Sequence, residues 1–198
     1  MKKIIILITA LTLALSFCSA ALSAERVAEW TGNVNIFLGH KRLDNNDWEP
    51  VEEQDEIGIE VDFAKKQWPV NIAVDFMSSK DNKTISGVNR EGETDEFNFG
   101  VRKIFSIEKM DIHPYFGGGL AIISGVMSTT MSGVTTSVDG RDLGIWLNVG
   151  VYWTLGEHFN LGLDLRRSKA DADFNIGGTD RNVELGGRHA GMLLGYHW

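Results

Sequence analysis

The chain has 198 residues, and its 27 acidic against 19 basic side chains set a formal charge of −8 at pH 7, a balance with no electrostatic case for binding nucleic acid. One cysteine, Cys18, excludes a disulfide framework within the chain. Beyond a short run at the start, no stretch near twenty residues is apolar throughout, so any membrane crossing would fall to strands closed into a barrel.

Met1 to Ala24 reads as a secretory leader: Lys2 and Lys3, the apolar run Ile4 to Phe17, then Ala21-Leu22-Ser23-Ala24 before Glu25. Cleavage after Ala24 is expected, with Ala20 and Ala21 as alternative sites because Leu22 is bulky for its place. Cys18 leaves with the leader, and the bulky Phe17 before it argues against lipid attachment there. Residues 25–198 are then one domain of ordinary size.

After a lead-in to Trp30, Val34, Ile36 and Leu38 alternate with Asn33, Asn35 and Gly39, the period of two of a strand. A polar connection, Asp44 to Asp55, precedes Ile57, Ile59, Val61 and Phe63, which alternate with Gly58, Glu60 and Asp62. Ala64 to Pro69 is brief. Val70, Ile72, Val74 and Phe76 then alternate with Asn71, Ala73 and Asp75, and Ser78 to Thr94 is expected as a long charged loop. Phe97, Phe99, Val101 and Phe105 face away from Asn98, Gly100 and Arg102, and the turn Ser106 to Asp111 is short.

The fifth strand, His113 to Ile123, has Phe116, Leu120 and Ile122 on its outward face, and its three consecutive glycines let backbone or bulky interior groups approach closely. A long Ser/Thr/Gly loop is expected over Met127 to Arg141. Leu143, Ile145, Leu147, Val149, Val151 and Trp153 next oppose Gly144, Trp146, Asn148, Gly150 and Tyr152. After the turn Thr154 to His158, Phe159, Leu161, Leu163 and Leu165 oppose Asn160, Gly162, Asp164 and Arg166. The loop Ser168 to Asn182 leads to the last strand, where Ala190, Met192, Leu194, Tyr196 and Trp198 share one face with small or polar neighbours between them.

Eight strands result, with connections alternating long and short, as an antiparallel up-and-down meander requires. The prolines agree: Pro50 and Pro69 fall in connections and Pro114 at a strand start. Trp30, Phe63 with Trp68, Phe105, Tyr115, Trp153, Phe159 and Trp198 all fall at or beside one end of the strands, the pattern of an aromatic girdle at a membrane interface.

The aromatic-terminated last strand, with Met192, Leu194, Tyr196 and Trp198 at alternate positions, resembles the closing strand of bacterial outer-membrane β-barrels. His113-Pro114-Tyr115-Phe116-Gly117-Gly118-Gly119 resembles a Pro-Tyr-x-Gly-x-Gly segment common in small barrels of that kind. The chain is similar to the OmpA, OmpX and OmpW class: all-β, eight antiparallel strands in a transmembrane barrel. The resemblance implies export to the outer membrane, insertion through the barrel-assembly machinery with residues 192, 194, 196 and 198 as the assembly signal, four longer external segments, termini in the periplasm, a monomeric state and no cofactor.

Alternation shows one apolar face without saying whether it meets lipid or an enclosed cavity. A lipocalin-like barrel would reverse the faces, but Gly32-Asn33-Val34 lacks the Gly-x-Trp that such barrels carry near the first strand. The glycine- and asparagine-rich second register suits a crowded interior. On the membrane reading, Glu60, Asp62, Asp75, Glu96, Arg102, Asp164, Arg166, His189 and His197 point inward, and Arg102 and Arg166 bridge several carboxylates across the lumen. Acids outnumber arginines there, so some carboxylates must share protons, meet water or pair with a histidine. Such a network either plugs the barrel or lines a narrow cation path.

An enzyme is not expected. Lipid A deacylases of this membrane use a His-x-Ser pair, and none of the five histidines has serine two residues on. The lead-in is also too short for the amphipathic helix of the palmitoyl-transferring type. No metal-ligand spacing or phosphate loop stands out. Outward-facing Arg42, Arg167 and Arg188, with His40, fall eight to ten residues above the aromatic end. At about 3.3 Å per residue and a tilt near 40° that is roughly 20 to 25 Å, the height of the apolar band. These basic groups are therefore expected together at the outer headgroups, where lipopolysaccharide carries phosphate.

Overall fold

The computed structural model describes residues 30–107, 110–176 and 178–198; the expected leader lies outside them. In chain order the elements are β1 (Trp30–Arg42), α1 (Asn45–Trp48), β2 (Glu53–Lys65), β3 (Asn71–Ile85), β4 (Val88–Ile104), β5 (Ile112–Met131), β6 (Val134–Leu155), β7 (Phe159–Lys169), β8 (Asp171–Ile176), β9 (Thr179–Glu184) and β10 (Arg188–His197). Eight of the strands close a barrel in the order β1-β10-β7-β6-β5-β4-β3-β2, while β8 and β9 pair only with each other. Each barrel strand lies beside its neighbour in the meander, and β1 meets β10 in an antiparallel ladder from Asn33 with His197 to Arg42 with Arg188.

The two faces separate as a bilayer demands. Ile36, Leu38, Phe97, Phe99, Leu163, Leu165, Met192 and Leu194 point outward, each 46–59% exposed, while Glu60, Asp75, Asn98, Arg102 and Arg166 are buried inside. A water-soluble barrel would need the reverse, so the lipocalin alternative falls on this observation. Trp30, Trp68, Phe105, Trp153 and Phe159 are exposed at the end that carries the start of β1 and the end of β10. Tyr115 is not part of that girdle. With Phe116 outward, Tyr115 must face the lumen, where its hydroxyl donates to Asp164 Oδ2 at 2.6 Å; Phe116 packs beside Phe105 in its stead.

Two of the expected loops are strands. Residues 78–94 and 127–141 are the paired outer ends of β3 with β4 and of β5 with β6, in continuous register to Ile85 with Val88 and Met131 with Val134. Each hairpin reverses at a Ser-Gly pair with positive φ at both residues, 52° and 80° at Ser86-Gly87 and 50° and 82° at Ser132-Gly133. That geometry matches the twist of the flanking strands, and glycine adopts it without a Cβ penalty. Near the hairpin tips both faces meet water, and lower down the buried positions are the small or polar Ser79, Gly92 and Thr94, so no regular apolar register marks these segments in the sequence. Cross-strand pairs hold them instead: Lys80 Nζ lies 2.6 Å from Glu91 Oε1, a hydrogen bond that raises the pKa of the ammonium, and Thr130 bonds Thr135 at 2.8 Å. The expected loop 168–182 likewise contains the end of β7, all of β8 and most of β9.

Candidate functional site

The lumen is filled in layers, each set by the inward register of several strands. In the middle layer Arg102 from β4 lies 3.3 Å from Glu60, 3.3 Å from Asp62 and 3.1 Å from Asp75. Arg166 from β7 lies 2.8 Å from both Glu60 and Asp75 and 3.8 Å from Asp164. Two guanidiniums thus face four carboxylates. Neutral donors meet part of the surplus: Asn33 and Asn71 donate to Asp62 Oδ1 at 2.9 and 2.6 Å, and Tyr115 and Asn148 donate to Asp164 Oδ2 at 2.6 and 2.8 Å. Each arginine also stacks on an aromatic ring, Arg102 on Tyr115 at 5.2 Å and Arg166 on Trp146 at 5.0 Å.

Glu96 does not join the arginines. It belongs to the layer above, where Lys41 Nζ lies 2.7 Å from its Oε1 and also donates to Thr94 at 2.8 Å and to the Leu185 carbonyl at 3.1 Å. His189 joins this layer with Nδ1 2.9 Å from Glu56 and Nε2 3.0 Å from Ser168 Oγ. The sequence carries a signal for two further inward groups, Lys41 and Glu56: Lys41 lies two residues after the inward Gly39 and Glu56 two residues before the inward Gly58. His197 is in a third layer towards the girdle, its Nδ1 donating to Asn33 Oδ1 at 3.0 Å, with Asn160 Nδ2 donating to the same oxygen at 2.8 Å.

Ser168, His189 and Glu56 stand in the order of a nucleophilic relay, assembled from β7, β10 and β2 and so invisible to a search for His-x-Ser. Two features oppose that chemistry. Ser168 has one proton to give, and Glu96 Oε1 at 2.8 Å competes for it with His189. The hydroxyl is also sealed, Ser168 being 1% exposed, so no carbonyl carbon reaches it.

The seal is an apolar cap. Leu43, Trp48, Val51, Phe174, Val183 and Leu185, all from the first and last external connections, pack onto Ile123 and Trp146 of the wall. Asp44 begins α1 by accepting from Asn46 N at 2.8 Å, which aims Trp48 into the mouth. Trp48 then donates to the Glu184 carbonyl at 2.8 Å and meets the Phe174 ring edge-on at 6.5 Å. Gly140 lets Phe174 in: a Cβ there would stand 2.4 Å from its ring.

On the outer face, Arg42, Arg188 and Arg167 are direct cross-strand partners on β1, β10 and β7, with Leu147 of β6 completing the row. At the other end of this seam Trp198 pairs with Gly32 through two backbone hydrogen bonds, 3.2 and 3.1 Å, while Met192, Leu194 and Tyr196 project into the apolar belt.

The sequence pattern described as the outer membrane protein beta-barrel domain matches residues 9–189. The chain belongs to that family. Solved outer membrane barrels share the fold at low identity. Ail, the attachment invasion locus protein of Yersinia pestis, in complex with sucrose octasulfate, superposes with a TM-score of 0.60 at 12% identity over 86% of this chain and 99% of that one. OprG from Pseudomonas aeruginosa gives 0.59 at 11% over 85% and 95%, and the Neisserial surface protein A gives 0.52 at 13% over 86% and 96%. A search of curated proteins found no match. For an outer membrane beta-barrel domain the apolar belt is the lipid-facing surface, and the place of the chain is the bacterial outer membrane.

Proposed function

We propose that this barrel does not conduct and acts through its external surface, as a structural and surface-interaction protein of the outer membrane. The observation that carries the reading is the closure of the lumen at successive levels: the Arg102 and Arg166 layer, the Lys41 and Glu96 layer, and the Trp48 and Phe174 cap, with these charged groups no more than 3% exposed. A conducting pore needs a continuous wet path, which eight strands leave only when small residues line the axis. What the protein offers to its surroundings is then the pair of long polar hairpins, 78–94 and 127–141, raised above the belt on rigid strands. On this reading the leader is removed after export, the C-terminal strand engages the assembly machinery, the barrel is a monomer, and it performs no chemistry.

Planar-bilayer recording of the refolded mature chain tests the lumen: a baseline without unitary steps is expected, and reproducible single-channel currents would make it a small-solute channel instead. The surface role is tested in cells by shortening both hairpins to Ser-Gly turns at the belt. The shortened protein should assemble with wild-type heat resistance yet fail to restore the phenotype of a gene deletion that the full protein restores; full rescue by the shortened form counts against the reading.

A further inference from the structure

The row of arginines on the outer face is built in a way that calls for an anion. In the antiparallel ladders Arg42 stands directly opposite Arg188, and Arg188 directly opposite Arg167. Like charges at directly opposed cross-strand positions repel, and neighbouring strands are only about 4.8 Å apart. One acid relieves this in part: Glu53 Oε1 lies 3.9 Å from Arg42 Nη1. His40, one step below, is 3.0 Å from Asp55. Among the described residues no side-chain hydrogen bond or ion pair occupies Arg167 or Arg188, and both are exposed.

Beneath the arginines lies a notch. The next outward row towards the girdle reads His40, Ala190, Leu165 and Val149, and Ala190 is the one small side chain in it. The result is an open groove of about 740 Å³ against the wall, lined by Arg42, Arg188, Arg167 and Leu147 at its upper rim and by Val149, Leu165 and Ala190 beneath. From Tyr196, the cross-strand partner of Phe159 in the girdle, to Arg188 the strand climbs eight residues, about 20 Å along the normal, so the rim is at the outer edge of the apolar belt.

We infer that this groove is a binding site for lipopolysaccharide, with a glucosamine phosphate of its lipid anchor held by the arginine row and an acyl chain laid over Ala190. Guanidinium forks match phosphate oxygens in a bidentate manner, and a phosphate between opposed arginines turns their repulsion into attraction. The chemistry is that of a phosphorylated lipid, and the side of the membrane that the long hairpins face selects lipopolysaccharide over the phospholipids of the inner leaflet. The inference is independent of the lumen: a conducting barrel would carry the same groove.

The test compares thermal unfolding of the mature chain in vesicles of phosphatidylcholine alone, with phosphatidylglycerol, and with rough lipopolysaccharide at matched negative charge. Three variants accompany the wild type: R42A/R167A/R188A, which removes the row; A190W, which fills the notch and keeps the row; and K80A/K83A/R90A, which removes equal charge from the β3–β4 hairpin. Lipopolysaccharide should raise the wild-type midpoint well beyond phosphatidylglycerol. The row and notch variants should lose most of this increment and the hairpin variant should keep it. Equal increments from the two anionic lipids would mean general attraction to negative headgroups, and an undiminished increment in R42A/R167A/R188A would mean snorkelling without a site; either result overturns the inference.

Discussion

Trp48 and Glu184, 136 residues apart in the chain, are joined by a 2.8 Å hydrogen bond from the indole N–H to the backbone carbonyl. The same two connections meet again where Asp47 Oδ2 accepts from Glu184 N at 3.0 Å and Oδ1 lies 3.5 Å from Arg181. The first and last external segments therefore form one unit over the mouth of the barrel.

Trp48→Ala should remove the centre of that unit. Losing a buried tryptophan costs about 3 to 5 kcal/mol when the site cannot collapse, and Gly92 and Gly125 beside it leave nothing bulky to fill it. Urea unfolding in lipid should show a clearly lower midpoint, while bilayer recordings should remain silent because the charged layers below still close the lumen.

Arg166→Ala leaves Arg102 as the one guanidinium against the buried Glu60, Asp62, Asp75 and Asp164, and Arg102→Ala leaves Arg166 alone against them and takes the arginine from Asp62. Each should cost about 3 to 5 kcal/mol, the penalty for leaving a buried charge unpaired. Because the two arginines share Glu60 and Asp75, the losses should not add in the double variant, which takes the last cation from that pair. Additive losses in urea midpoint would show two independent sites.

Lys41 and Glu96 offer a cleaner cycle. Lys41→Met leaves Glu96 buried without its cation and should destabilise strongly, whereas K41M/E96Q removes both charges and should recover much of the loss. A double variant as unstable as Lys41→Met alone would assign the damage to packing.

The serine of the relay-like cluster should be inert. A fluorophosphonate probe should leave the wild type unlabelled, and Ser168→Ala should cost only about 1 to 3 kcal/mol through its lost hydrogen bonds. Labelling of Ser168 in the folded protein would reveal an opening of the cap wide enough for catalysis.

Deleting Tyr196 to Trp198 removes the Gly32 backbone pair and the last outward aromatics of β10. The truncated chain should accumulate unassembled in the periplasm. Its recovery in the outer membrane as a heat-modifiable, protease-resistant band would deny the assembly role of these residues.

The barrel itself was legible in the order of residues, because a strand with lipid on one side and a narrow lumen on the other must alternate side chains, and the alternation counts the strands and orients them. Once the apolar face is turned to lipid, the inward places of Glu60, Asp75, Arg102 and Arg166 follow from that parity. So does the alignment of Arg42, Arg167 and Arg188 near one height, since each lies a fixed number of residues above the aromatic end. Parity could not decide which acid meets which cation. Lys41 and Glu96 are 55 residues apart, and only the closure of β1 beside β10, with β4 across the lumen, makes them partners at 2.7 Å. Nor could it show the hairpins or the cap. Near the hairpin tips both strand faces meet water and the period of two disappears, and the burial of Trp48 against Phe174 depends on two distant connections converging over one opening, a relation that exists only in three dimensions.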